Sequence, residues 1–253
     1  MATCNGALGN DGVIVPRFGS LKPENLKSGR LARLLATAVK FWLRTQVEAA
    51  ETLEVAVGGS GRELLSGCLP SVQVWATGVV YQGLALQDVA IAASAIRINL
   101  SQVLRGKPLQ LLEPIAIDLV QTINADNLNR SIAAPLLAQA IADFVKPLLA
   151  GCEGAQFMPQ NLMLGEQSLS LRGQFSEAEG DRSYPLTLTT GLALSSPQQL
   201  QFQNPQWTQD AAAAIALPAL DSFAMDLGSD VAFRMLAIAP DKIHCEGTLT
   251  VRP

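Results

Sequence analysis

Between Val72 and Tyr81 the chain alternates with period two: Val72, Val74, Ala76, Gly78 and Val80 fall on one side, Gln73, Trp75, Thr77, Val79 and Tyr81 on the other. Successive side chains of a strand point to opposite faces, so this run predicts a β-strand, with both faces rather apolar. Gly83 ends it, and two further strands are expected over 86–100 and 109–123. All three exceed the usual strand length of roughly 5–6 residues. In the second, Val89, Ile91 and Ala93 share a face before the apolar set moves to Ile96, Ile98 and Leu100. A one-residue change of phase predicts a β-bulge near Ala93, which would bend the sheet. The third carries Leu109, Leu111, Ile115, Ile117, Leu119 and Ile123, interrupted by Glu113 and Gln121. Runs that follow so closely on one another predict antiparallel neighbours. Long strands that must curl can enclose something.

Helical periods occupy less of the chain. Pro23 suits a helix start, and from there to about Ala50 there is no further proline. At about 100° per residue, Arg30, Arg33, Lys40 and Arg44 fall within roughly 80° of one another, with Leu31, Leu34, Leu35, Ala38 and Trp42 broadly opposite. Such a basic amphipathic helix can lie on an anionic membrane, or pack its leucines on the sheet and solvate its arginines. The stretch 125–150 opens on the cap cluster Asn124-Ala125-Asp126-Asn127 and carries Leu128, Ile132, Leu136, Ala140 and Phe144 at spacings near four. Pro135 is expected to kink it, and Pro147 and Gly151 to end it. Its apolar stripe fits a core helix or a groove wall equally. The remainder returns to strands through Leu162, Leu171, Phe175, Leu186, Leu188 and Phe202, then 231–238 and 243–251.

Composition sharpens this picture. Charged residues make up 16% of the 253 residues, against about 25% in ordinary soluble domains, and the mean hydropathy is positive. No run reaches the ~18 uninterrupted apolar residues of a membrane span. The excess is therefore spread through strands and helices, as a generous interior or as surface that meets lipid. A net charge of −4 argues against a nucleic-acid partner. Residues 1–23 read as a leader with no secretory pattern, so a cytoplasmic chain with reduced thiols is expected, with peripheral association at a membrane.

The chemistry of catalysis is hard to place. Gly58-Gly59-Ser60-Gly61-Arg62 lacks the second glycine of a nucleophile elbow and the Gly-Lys-Ser/Thr ending of a phosphate loop, so it reads as a strand-to-helix turn. His244, the single histidine, falls in the polar register of the last strand beside Glu246, and is expected to be exposed. The four cysteines lack metal-site spacing. Asp118, Asp126, Asp143 and Asp226 are scattered. No catalytic residue, metal ligand or cofactor is assigned.

One resemblance gathers these pieces. Phe41-Trp42-Leu43-Arg44-Thr45-Gln46-Val47-Glu48, Arg62-Glu63-Leu64-Leu65-Ser66-Gly67, Tyr81-Gln82-Gly83-Leu84 and Ile96-Arg97-Ile98-Asn99-Leu100 come in that order. Val103-Leu104-Arg105-Gly106-Lys107-Pro108-Leu109, Ala125-Asp126-Asn127-Leu128-Asn129, Ala134-Pro135-Leu136-Leu137 and Met225-Asp226-Leu227-Gly228-Ser229-Asp230-Val231 continue the series. Together they resemble the LmeA-type phospholipid-binding family, most of all its cyanobacterial branch, over roughly residues 30–253. The resemblance implies a lipid-binding α+β fold, a long curved antiparallel sheet wrapping amphipathic helices, similar to the tubular lipid-binding folds. One such domain is expected over 24–253.

On that reading the groove would be lined by Leu34, Leu35, Ala38 and Trp42, by Val72, Val74, Val80, Ile96, Ile98, Leu111, Ile115 and Ile117, and by Leu128, Ile132, Leu136 and Phe144. Arg30, Arg33, Lys40 and Arg44 would meet an anionic membrane surface. The expected partner is a phospholipid, held without catalysis for carriage or sensing. The alternative is a scaffold that binds a protein partner through its apolar surface.

Overall fold

The computed structural model describes residues 29–146, 154–176, 183–209, 213–217 and 224–253. The expected leader, Pro23 and the Pro147 and Gly151 helix end lie outside these. Among the described residues 57% are in strands and 22% in helices, arranged as two antiparallel sheets. This corrects the expectation of an α+β fold in which one long sheet wraps amphipathic helices. There is too little helix to fill a tube. The physical cause is plain in 125–150, which forms two short helices, α4 (Ala125–Arg130) and α5 (Pro135–Val145). Pro135 does not kink a continuous helix; it sits in the first turn of a new one, where its missing N–H costs nothing.

The first sheet has the order β1-β2-β3-β4-β12-β11. Its strands are β1 (Thr52–Gly58), β2 (Cys68–Tyr81), β3 (Leu84–Arg97), β4 (Ile115–Asn124), β12 (Lys242–Val251) and β11 (Val231–Ile238). β4 begins at Ile115 rather than Leu109, because the preceding residues form a loop anchored by a single bridge, Ile98 to Leu111. The second sheet runs β10-β8-β7-β6-β5, with a short β9 against β8. These are β5 (Gln156–Gly165), β6 (Ser168–Ser176), β7 (Ser183–Ser196), β8 (Gln199–Gln209), β9 (Ile215–Ala216) and β10 (Ala224–Asp226).

β2 and β3 are 14 residues each, about 46 Å at the usual rise. They join through Gln82-Gly83, both in the left-handed region at φ 49° and 76°, as a two-residue primed turn demands. Buried side chains meet across this hairpin as Leu69 with Ile96, Ala76 with Val89, and Val79 with Leu86. The phase change foreseen near Ala93 is present, but no residue is inserted. Pairing keeps one register from Cys68–Arg97 to Tyr81–Leu84, and Gly78 (φ 57°) and Ala95 (φ 54°) turn the ribbon instead. The Glu51 side chain lies over Gly78, leaving no room for a Cβ. A bulge does occur at the far edge, between Phe233 and Met235, where Gly247 opposite lets the Phe233 backbone approach.

Helices seal the layers at their ends. α1 (Arg30–Gln46) packs Ala32, Leu35 and Val39 inward and lies against β1. α2 (Gly61–Leu65) starts in a capping box between Ser60 and Glu63, which holds the Glu63 carboxyl below its ordinary range. α5 stacks Phe144 on Phe202 of β8, ring centroids 4.3 Å apart. α4 touches both sheets. Its Asn129 donates to the Leu162 carbonyl and accepts from the Leu162 N–H, each at 2.7 Å, standing in for a strand beside the edge strand β5. The Ser131 hydroxyl, just past α4, accepts from Ala85 N–H of β3 at 2.8 Å. One apolar cluster runs from Leu35 and Val74 through to Leu171, Leu188 and Phe202.

Asn129→Ala strands the buried Leu162 backbone pair. It is expected to cost about 1–3 kcal/mol, read as a lower urea midpoint at unchanged slope.

Candidate functional site

The inner face of the first sheet is the natural place to look for a bound chain. Across it, row by row, lie Val55, Val74, Ile91 and Leu119, then Val57, Val72, Ala93, Ile117 and Leu249. Val57, Val72, Val74, Ile117 and Leu119 are buried. Ile91, Ala93 and Leu249 are only half-buried, as are Ile115 and Val251, paired at the start of β4 and the end of β12. The apolar surface thus closes toward the middle of the sheet and loosens toward the end where β4 begins and β12 finishes.

This accounts for the residues expected to line a groove. Leu35, Val72, Val74, Ile96, Ile98, Leu111, Ile117, Leu128 and Phe144 are buried and packed within the core. Ala38, Trp42, Ile115 and Ile132 are half-buried against it. Leu34 and Leu136 point outward. Phe144 and Leu128 sit on α5 and α4, and share one apolar cluster with Leu35 of α1.

The four residues expected to meet a membrane all lie on α1. Arg30, Arg33 and Arg44 are all exposed on the side of α1 away from β1, while Lys40 is half-buried. Leu34, read as inward from its spacing, lies among them at 52% exposure, and Phe41 at 70%. Seven residues apart, Leu34 and Phe41 fall within about 20° on the helix. The outward face is therefore a short apolar stripe beside three guanidinium groups. The sequence signal that could have found it was the surplus of large apolars on α1, more than one buried stripe can use.

Val80, the remaining groove residue, lines a cleft of about 380 Å³ at the opposite end, near the β2–β3 turn. Glu51, Gln87, Asn127 and Arg130 supply its polar wall. Asn127 is buried and bonded to Arg130, and its backbone N–H is capped by Asn124 at 2.7 Å. Its volume is at the lower end of small-ligand pockets, enough for a polar group and too little for a pair of acyl chains.

A family model described as LmeA-like phospholipid-binding matches residues 27–248. The chain belongs to that family. No curated protein and no solved structure matches it. Membership in the LmeA-like family supports lipid binding in general. Among the described residues, no helix is long and apolar enough to cross a membrane, which leaves strands unaddressed.

The rest of the site chemistry of this LmeA-like protein is polar bonding on the outer face. His244 is not fully exposed: its Nδ1 lies 3.2 Å from Thr122 Oγ1 and its Nε2 3.2 Å from Glu246 Oε1, with Glu246 itself buried. The row has the residue types of a hydrolytic triad. β12 is paired on both sides, so its own N–H groups are spent in the ladders. Among the described residues no cluster of three or more His, Cys, Asp or Glu could hold a metal.

Cys245 reports on the inner face. Burial pushes its thiol from 9.0 up to about 11, against a smaller opposing hydrogen bond from Gln121. Iodoacetamide at pH 8 is expected to spare Cys245 in the folded protein and label it once unfolded, read by peptide mass spectrometry. Because the folded pKa is the higher, the linked stability is present below pH 9 and is lost as pH rises from 9 to about 11.

Proposed function

We infer that this protein is a non-enzymatic phospholipid binder that rests on an anionic membrane through the outward face of α1 and receives acyl chains along the loosened part of the inner face. One observation carries the reading: Phe41 and Leu34 stand exposed beside Arg30, Arg33 and Arg44 on a helix whose other side is anchored in the core. Basic residues near such a surface contribute about 1 kcal/mol each, and buried methylenes about 0.8 kcal/mol each. Neither alone holds a protein at a membrane; together they give reversible attachment that weakens with salt. Carriage or sensing then requires only that a bound chain leave and re-enter the same surface.

The test pairs two measurements. Mass spectrometry of an organic extract of the purified protein is expected to find phospholipid. Flotation is expected with vesicles containing phosphatidylglycerol, falling at high salt, and Phe41→Ser with Arg33→Glu is expected to weaken it roughly tenfold or more. A protein that carries no phospholipid and floats with no vesicle sinks the reading. Binding to a protein partner that ignores anionic lipid would favour a scaffold instead.

A further inference from the structure

At the loosened end of the inner face, three loops meet, and each presents a leucine to solvent. Leu65 ends α2 at 64% exposure, Leu104 follows the short helix α3 (Leu100–Val103) at 53%, and Leu112 precedes β4 at 57%. They are tied together through Arg97 and Ile98. Ile98 N–H donates to the Gly67 carbonyl at 3.0 Å and Ile98 bridges to Leu111, while Leu112 N–H donates to the Arg97 carbonyl at 3.0 Å.

These loops are held by a buried side chain. Asn99, 8% exposed, donates to the Pro108 carbonyl at 3.0 Å and accepts from Gln110 N–H at 2.8 Å, closing the segment that carries Leu104. Gly67, at φ 80°, turns under Ile98 where a Cβ would meet the Ile98 carbonyl. The leucines are therefore offered on fixed supports. A loop pinned from inside could have turned Leu104 inward, and it does not.

Charge identifies what they face. Arg62, Arg105 and Lys107 are exposed on the same loops and form no ion pair with any described residue. The carboxylates nearby are engaged: Glu63 in the α2 capping box, Glu113 with Arg97, and Asp230 with Arg252 at the end of β12. Free cations beside exposed leucines match a phosphate layer over hydrocarbon.

We propose that this end of the first sheet is a membrane-docking edge, with Leu65, Leu104 and Leu112 entering an anionic phospholipid bilayer and Arg62, Arg105 and Lys107 meeting its phosphates. The edge adjoins Ile115 and Val251, so a lipid chain leaving the bilayer passes straight to the loosened inner face. It rests on the phospholipid-binding reading, and makes α1 a flank of the contact rather than its centre.

The test compares Leu65→Ser/Leu104→Ser/Leu112→Ser and Phe41→Ser/Arg33→Glu with wild type, after thermal melts show both fold. Vesicles of phosphatidylcholine with phosphatidylglycerol are the probe, and phospholipid in an organic extract is read separately. The loop variant is expected to bind vesicles roughly tenfold or more weakly while still extracting with phospholipid. Arg105→Glu/Lys107→Glu is expected to flatten the salt dependence. Wild-type vesicle binding by the loop variant overturns the edge but not lipid binding. Wild type that neither floats nor carries lipid overturns both. If light scattering shows a wild-type dimer that the loop variant turns into a monomer, the surface belongs to a second copy and the edge is wrong.

Discussion

Two sheets in one chain need a reason to stay in contact, and one joint here is a six-residue helix, beside the direct backbone bonds from Phe233 to Pro197 and from Gln167 to Ile238. α4 comes directly after β4, so the first sheet positions it. Asn129 then completes the backbone of Leu162 on the edge strand of the second sheet, and Ser131 completes that of Ala85 on the first. An edge strand presents unpaired N–H and C=O groups that otherwise invite water or another chain. Using a side-chain amide as a surrogate strand satisfies one such pair and ties the helix to the second layer.

Most strands are legible in the sequence because period-two alternation is imposed locally: β2, β3, β11 and β12 all arise from their own residues. The architecture is not, since nothing in β11 or β12 announces that they return to pair with β4 while β5 to β10 form a sheet of their own. That choice rests on long-range pairing. A single helix over 125–150 fails for a local reason. Its apolar spacing reads smoothly across Ser131 and Pro135, but Ser131 turns its hydroxyl on the Asn127 carbonyl and Pro135 begins afresh.

The residues expected in a groove are hard to read for a related reason. Val72, Val74, Ile96 and Ile117 are apolar and on long strands, as a groove wall would be, yet sequence carries no information on whether other elements cover them. Here they are covered. Leu34 shows the complementary difficulty. Spacing puts it near Leu35, but about 100° separates neighbours on a helix, and the stripe that faces β1 centres on Leu35 and Val39. The arginines of α1 are easier, because charge alone excludes them from the core.

Packing also limits where a lipid chain can go. Leu35, Val74 and Leu188 are almost fully enclosed by their neighbours, as in other close-packed protein interiors. Apolar surface that is already partly open admits a chain without the separation of packed elements. Separation would cost the burial that holds the layers together, whereas Ile91, Ala93, Ile115, Leu249 and Val251 are half-open in the resting fold. The turn at Ala95 contributes to this: it changes the buried register of the β2–β3 ribbon beside Ala93, so Ile96 and Ile98 bury in the loop end while the row at Ala93 stays loose. A left-handed alanine is unfavourable by about 1–2 kcal/mol, a cost borne at the point where the apolar pattern of the ribbon changes phase.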